Sequence, residues 1–448
     1  MVLLKHKMQF ACNECGSISA KWLGQCPDCK AWNTLEAQKE QSYSGDRSLT
    51  AVPLSEVDIV DTPRQPSGIA ELDRVLGGGF VPGSVILLGG DPGIGKSTLF
   101  LQCLAILSKD FPVLYISGEE SLTQIAMRAK RLQLTIDQIW VAVETQVGSM
   151  LQYAQEKKPK LVVVDSIQTM VSDSVDATAG SVAQLRKGAQ QWVQFAKQTD
   201  TTVLFIGHVT KDGQLAGPRV LEHMVDTVLY FEGASEGRFR MLRAVKNRFG
   251  AVNELGVFAM SADGLKGVSN PSQLFLAGHQ KPMPGSTTTI LWEGTRPLLI
   301  EVQALVDATQ NPQPRRLTIG IDPQRLSLLL AILHRHTGIK LGQFDVFINV
   351  VGGIKVQEPS ADLAILAAIV SSLRNQVLEQ TALVGEVGLS GEIRPVAYGQ
   401  ERVQEAFKHG MQRVFIPKSN RIKAQKSWEV IACTSMKDWL SQLTSKLS

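Results

Sequence analysis

The sequence predicts an α/β protein built on a mainly parallel sheet with helices on both faces, preceded by a four-cysteine zinc module and followed by a smaller α+β domain. Three observations predict it. Residues Gly90-Asp91-Pro92-Gly93-Ile94-Gly95-Lys96-Ser97-Thr98 form a Gly-x-x-x-x-Gly-Lys-Ser phosphate loop between a strand-like and a helix-like run. Short β-branched runs then recur with helical spacers between them. Four of the six cysteines fall into two C-x-x-C pairs near the start of the chain.

At 448 residues the chain is long enough for several domains, each with its own core. Its 44% hydrophobic and 20% charged content is that of a globular protein and excludes a disordered majority. A formal net charge of +4 excludes a wholesale polycation, so any nucleic-acid contact must come from local patches. Four thiolates holding one zinc dication would lower that charge to +2. The opening Met1-Val-Leu-Leu-Lys-His-Lys is too short in its apolar part for a signal peptide, and no run approaches a membrane span. A cytoplasmic protein without membrane contact is expected.

The first element, residues 1–35, carries Cys12, Cys15, Cys26 and Cys29. Each two-residue turn aims two sulfurs at one point, which suits a tetrahedral zinc ion; a cytoplasmic setting weighs against two disulfides. No open ligand position suggests catalysis, so the zinc is read as structural, holding a segment too small for a core of its own. Lys21, Trp22, Lys30 and Trp32 flank the knuckles, either covering the metal or touching DNA or protein. The polar stretch from Glu36 to Arg47 has no apolar period, and 36–66 is read as a linker.

The main domain, 67–269, opens with a short amphipathic helix between Ser67 and the glycines before Phe80. The strand Ser84–Leu88 leads into the phosphate loop, and a helix beginning near Lys96 places Leu99, Phe100, Cys103, Leu104 and Leu107 on one face. The loop's N–H groups and the helix dipole attract phosphate; Lys96 would reach the β- and γ-phosphates and Ser97 would ligate magnesium. Four apolar runs follow, Val113–Ile116, Leu161–Val164, Thr202–Ile206 and Thr227–Phe231. Polar residues stand at their carboxyl ends, where open α/β sheets bind ligands: Asp165 for magnesium, Glu119 or its neighbour Glu120 for the attacking water, and His208 to contact the γ-phosphate.

Beyond these, Lys246 and Arg248 lie one residue apart on an extended run, so both would face one way and could clamp a phosphate. They close a basic stretch with Arg238, Arg240 and Arg243 that points to an anionic partner. Segments 211–219 and 173–187 have the polarity of mobile loops.

The segment from Gly68 through the phosphate loop, Ser117-Gly-Glu-Glu-Ser121, the cysteine knuckles and Lys246-Asn247-Arg248-Phe249-Gly250 together resemble the bacterial RadA (Sms) family of RecA-like DNA repair ATPases, over nearly the whole chain. The resemblance implies ATP and Mg2+ at Lys96, Ser97 and Asp165, with Glu119 as the catalytic glutamate. It implies that Lys246 and Arg248 reach a neighbouring subunit's nucleotide or DNA in a homo-hexameric ring. It further implies loops lining a central channel, with Arg186, Lys187 and Arg219 on single-stranded DNA. Branched DNA, the RecA recombinase and other recombination proteins are the partners that follow from it.

From about Asn270 the prolines Pro271, Pro282 and Pro284 mark a boundary, and 270–448 resembles the proteolytic domain of Lon proteases. Ser360, in Glu358-Pro-Ser-Ala-Asp362, matches that family's nucleophile, but Gln400 stands where its general-base lysine belongs. A serine without a base is a weak nucleophile, so Ser360 and Gln400 are read as vestigial. The expected function is therefore a DNA-dependent ATPase of recombination and repair. An ATP-dependent serine peptidase of Lon type is the alternative, and a RecA-like signalling or clock ATPase would leave the basic stretch unexplained.

Overall fold

The structure is a computed structural model that describes residues 9–12, 18–19, 21–28, 30–38, 53, 63–136, 138–208, 220–233, 239–276, 283–310, 312–420, 422–423 and 425–446. It divides into two units, Met1–Gly267 and Val268–Ser448.

The first unit opens with a three-stranded antiparallel ribbon of β1 (Gln9–Cys12), β2 (Ile18–Ser19) and β3 (Leu35–Gln38), in the order β2-β1-β3. All four residues of β3 pair with β1, which carries the ribbon three residues past the expected boundary at 35. Its small core is Cys12, Cys26 and Leu35. The expected linker also ends earlier than 66: Gln65 and Phe80 exchange both backbone hydrogen bonds at 2.8 Å, so the chain is already part of the main domain there.

The main domain holds β4 (Val85–Gly90), β5 (Val113–Ser117), β6 (Ile139–Val143), β7 (Leu161–Asp165), β8 (Thr202–Ile206) and β9 (Thr227–Glu232), all paired in parallel. Three antiparallel strands, β10 (Phe239–Asn247), β11 (Leu255–Ser261) and β12 (Gly264–Gly267), extend one edge. The order is β12-β11-β10-β9-β4-β8-β7-β5-β6. Strands buried on both faces read as continuous apolar runs, and helices cover each face. Helices Ala70–Leu76, Lys96–Leu107 and Leu122–Arg131 pack one core through Leu72, Leu99, Phe100, Leu104 and Ile125. Helices Val147–Lys157 and Val182–Thr199 pack the other through Met150, Leu185, Ala189 and Trp192.

One expectation is corrected here. Arg186 and Lys187 were expected on a mobile loop, but both lie on the helix Val182–Thr199, which Ser181 caps. The periodic Val182, Leu185, Ala189 and Trp192 bury one face of that segment and impose the helix.

The second unit contains β13 (Ser286–Glu293), β14 (Arg296–Ala308), β15 (Arg316–Ile319), β16 (Phe344–Val350), β17 (Thr381–Leu383), β18 (Glu386–Val387), β19 (Ile393–Arg394), β20 (Arg413–Pro417) and β21 (Glu429–Cys433). Seven of these form a mixed sheet, β15-β16-β14-β13-β17-β20-β21, while β18 and β19 pair separately. The helix Asp362–Arg374, apolar all round, is buried along residues 362–371. Among the described residues no helix is long and apolar enough to cross a membrane.

Candidate active site

The phosphate loop turns between β4 and the helix Lys96–Leu107 with Gly93 at φ 76° and Gly95, the residue before the helix, at φ 116°. Both angles lie in the left-handed region open to glycine. The loop encloses a cavity of about 370 Å³ lined by Lys96, Ser97, Glu119, Asp165, His208 and Arg128, among others. The sheet order explains the meeting: β4, β8, β7 and β5 are neighbours, so the carboxyl ends carrying the loop, His208, Asp165 and Glu119 are adjacent.

Lys96 is 3% exposed. Its ammonium donates to the carbonyls of Gly90 at 2.7 Å and Asp91 at 2.9 Å, and lies 3.2 Å from His208 Nδ1. Burial pulls its pKa down to about 8, against the opposing pull of Asp165. With a protonated Lys96 as donor, His208 Nδ1 accepts, which leaves the ring proton on Nε2, 3.6 Å from Glu119 Oε2. The other oxygen of Glu119 accepts from the Ser166 hydroxyl. Asp165 is held by the Tyr115 hydroxyl, whose own pKa is pushed well up by burial and by Asp165.

The two adjacent glutamates differ in surroundings. Ser117 Oγ accepts from the backbone N–H groups of both, at 3.3 Å for Glu119 and 2.9 Å for Glu120. A Cβ on Gly118 would lie 1.9 Å from Thr169 Oγ1, so only glycine fits the turn that leads into them. Glu120 is paired with the Arg128 guanidinium, whereas Glu119 faces His208. The described geometry therefore leaves Glu119 as the carboxylate without an arginine partner on the phosphate side.

Tyr115, Ser166, Arg128 and Arg131 complete the site and were not singled out in the sequence. Tyr115 hides in an apolar strand, and Ser166 simply follows Asp165. Arg128 and Arg131 carried a readable signal, two arginines one turn apart on the helix that Ser121 caps immediately after the glutamates.

The basic stretch, most of it on β10 between β9 and β11, is largely engaged within the chain. Arg240 is 4% exposed and donates from Nε to Ile94 O at 3.2 Å, buttressing the phosphate loop. Arg243 pairs with Glu232 at 3.6 Å. Lys246 donates to the carbonyls of Glu222 and Val225, both at 2.7 Å, and burial holds its pKa below the usual lysine value. Arg248 reaches Asp226 at 3.0 Å while its side chain stays 53% exposed. A bulge at Val245 in β10 brings Lys246 and Arg248 to the same 222–226 segment. Asn247 is buried and donates to the carbonyls of Val75 and Leu76 at the end of helix Ala70–Leu76, and Gly250 packs against Gly77. Phe249 O accepts from Arg64. Arg219, Arg238 and segment 209–219 lie outside the described residues.

In the ribbon, Cys12 and Cys26 are 2% and 1% exposed and share one core; Cys15 and Cys29 lie outside the described residues. Two buried thiols in one small core have the donor chemistry of a thiolate-bound zinc site.

In the second unit Ser360 is buried, and the group against it is Arg402, whose guanidinium donates to Ser360 Oγ at 3.2 Å. Arg402, 1% exposed, also forms a bidentate pair with Glu358 at 2.8 and 2.7 Å. Gln400 instead binds the backbone of Lys423, accepting from its N–H at 2.8 Å. A guanidinium cannot take a proton from the hydroxyl, so the group hydrogen-bonded to Ser360 Oγ is not a base.

Family models match three parts of the chain: a rubredoxin metal binding domain at residues 10–37, an AAA domain at 51–214, and the Lon protease (S16) C-terminal proteolytic domain at 334–436. The DNA repair protein RadA of Pseudomonas aeruginosa is 53% identical over 451 residues, covering 98% of this chain and 100% of that one. The DNA repair protein RadA of Escherichia coli is 50% identical over 450 residues, covering 97% and 98%. Among solved structures, the RadB recombinase is 22% identical and covers 45% of this chain and 99% of that one, with a TM-score of 0.37.

Proposed function

Because the chain belongs to the RadA family of DNA repair proteins, with a Lon-like C-terminal domain, we propose that it is a DNA repair and recombination ATPase whose hydrolysis is stimulated by single-stranded DNA and drives branch migration. The observation that carries this reading is the continuous contact from Lys96 through His208 to Glu119 and Ser166. It links the phosphate loop to three neighbouring strand ends, and in sequence His208 directly precedes the segment 209–219. In this reading Lys96 holds the β- and γ-phosphates, and Ser97 and Asp165 hold Mg2+, which neutralises phosphate charge when bound. Glu119 orients the attacking water, and His208 passes the presence or loss of the γ-phosphate to the DNA-binding segment.

Arg248, half exposed beside Asp226, is the residue of the Lys246–Gly250 block best placed to reach a neighbouring subunit in a hexameric ring. Lys246, anchored on two carbonyls, holds the strand that presents it. Arg186, Lys187 and Arg219 are assigned to the DNA channel, the first two from a helix. A vestigial Ser360 makes the Lon-like domain a scaffold for assembly and DNA binding, without peptidase activity. The deciding experiment measures ATP hydrolysis with and without single-stranded DNA. Stimulation that disappears in His208→Ala while nucleotide still binds supports the reading; hydrolysis indifferent to DNA would sink it.

A further inference from the structure

The two tryptophans of the ribbon stand open to solvent: Trp22 is 55% exposed and Trp32 is 69% exposed, while Cys12 and Cys26 are buried. Two large exposed aromatics that adjoin one another form a patch, and exposed apolar patches mark interaction sites.

The indoles flank one residue. A Cβ on Gly24 would lie 3.8 Å from Trp32 Cζ3 and 3.9 Å from Trp22 Cη2, so both indoles adjoin this one residue and their edges lie within about 8 Å of each other. The backbone that carries the rings is fixed. Gln25 bridges to Trp32, Asn33 N–H donates to Gly24 O at 2.7 Å, and Gln25 Nε2 donates to Lys30 O at 2.9 Å. Ser19 Oγ donates to Lys21 O at 2.7 Å. Lys21, next to Trp22 in sequence, and Lys30, two residues before Trp32, are both exposed, with Asp28 the one acid among the described residues from 18 to 35.

We propose that the exposed indoles of Trp22 and Trp32, which adjoin each other at Gly24, together with the exposed Lys21 and Lys30, bind single-stranded nucleic acid by stacking a base on an indole face while the two ammonium groups meet its phosphates. Stacking on aromatic faces with cations alongside is how such strands are held without sequence preference. The proposal rests on the DNA-binding reading above and assigns part of that binding to the ribbon.

The test uses the full chain and a fluorescent oligo(dT), with zinc content measured for each variant. Trp22→Ala/Trp32→Ala and Gly24→Leu, which sets a side chain against both rings, should each weaken binding about tenfold at unchanged zinc content, whereas Trp22→Phe/Trp32→Phe should stay within about threefold of wild type. Lys21→Ala/Lys30→Ala should flatten the dependence of log affinity on log salt by about 1.4, the value for two phosphate contacts on a single strand. If the alanine pair binds like wild type, the proposal falls, the DNA reading survives, and the indoles are left to a protein partner. If wild type ignores the oligomer, both fall together. Should the alanine pair lose zinc, ribbon emission decides: no quenching of Trp22 and Trp32 on adding oligo(dT) overturns the proposal.

Discussion

Lys96 is buried among the carbonyls it must leave to meet a phosphate, and burial lowers its pKa from 10.5 to about 8. The unfolded chain therefore holds the extra proton between those two values, so this lysine makes stability rise with pH across that window and depresses it below. Nucleotide affinity should run the other way, falling above about pH 8 as the ammonium is lost. Lys96→Met should abolish the alkaline fall in ATP binding and leave Tm near pH 7 unchanged or higher, while turnover drops at least about a hundredfold. Thermal melts and ATP titrations across the same pH range read both. The neighbouring carboxylates separate in the same way. Glu119→Gln, which removes the group facing His208, should lower the hydrolysis rate by roughly 10²–10⁴-fold. Glu120→Gln, which removes only the partner of Arg128, should cost less than about tenfold. Equal losses in single-turnover assays would reverse the assignment.

At the scale of elements, β10 and the residue that follows it carry unlike duties: Arg240 braces the phosphate loop, Asn247 closes the helix Ala70–Leu76, and Arg248, just past the strand, stays half exposed. Strand alternation and one bulge sort these side chains to different faces. The helix Gly399–Lys408 does the corresponding work in the second unit, burying Arg402 against Glu358 and Ser360. Arg402→Ala would strand Glu358 and should destabilise this unit by on the order of 3 kcal/mol. Ser360→Ala removes one hydroxyl and should cost under about 1 kcal/mol, with ATP hydrolysis unchanged and no proteolysis to lose. Denaturant melts and an unfolded-protein cleavage assay check both; ATP-dependent cleavage abolished by Ser360→Ala would overturn the scaffold reading.

For the whole molecule, the proposed ring makes a prediction that no isolated chain can satisfy. Arg248→Ala should fold and bind ATP yet lose DNA-stimulated turnover, and mixing it with Lys96→Ala should restore part of the activity at interfaces that combine an intact loop with an intact arginine. No recovery across mixing ratios would return Arg248 to a surface ion pair with Asp226, worth under about 1 kcal/mol. The zinc prediction is independent of the ring. Metal analysis should find one zinc per chain, lost in Cys26→Ser, with ATP binding retained because the main domain has two apolar cores of its own.

The sequence by itself determined what depends on neighbours along the chain. The phosphate loop, the apolar parallel strands, the acids at their ends and the paired cysteines are local patterns, because a strand buried on both faces and a loop that cradles phosphate each demand specific residue types at fixed spacing. Tertiary structure decided what depends on which strands lie side by side. The order β4-β8-β7-β5 puts His208 between Lys96 and Glu119 and sets Tyr115 on Asp165. The pairing of β10 with β9 and β11 turns most of a basic run inward, and the folding of 399–408 onto 358–360 brings Arg402 to Ser360. A buried arginine and an exposed one look alike in a sequence, since the charge is the same and only the partners waiting on adjoining elements decide whether it turns inward or out to solvent.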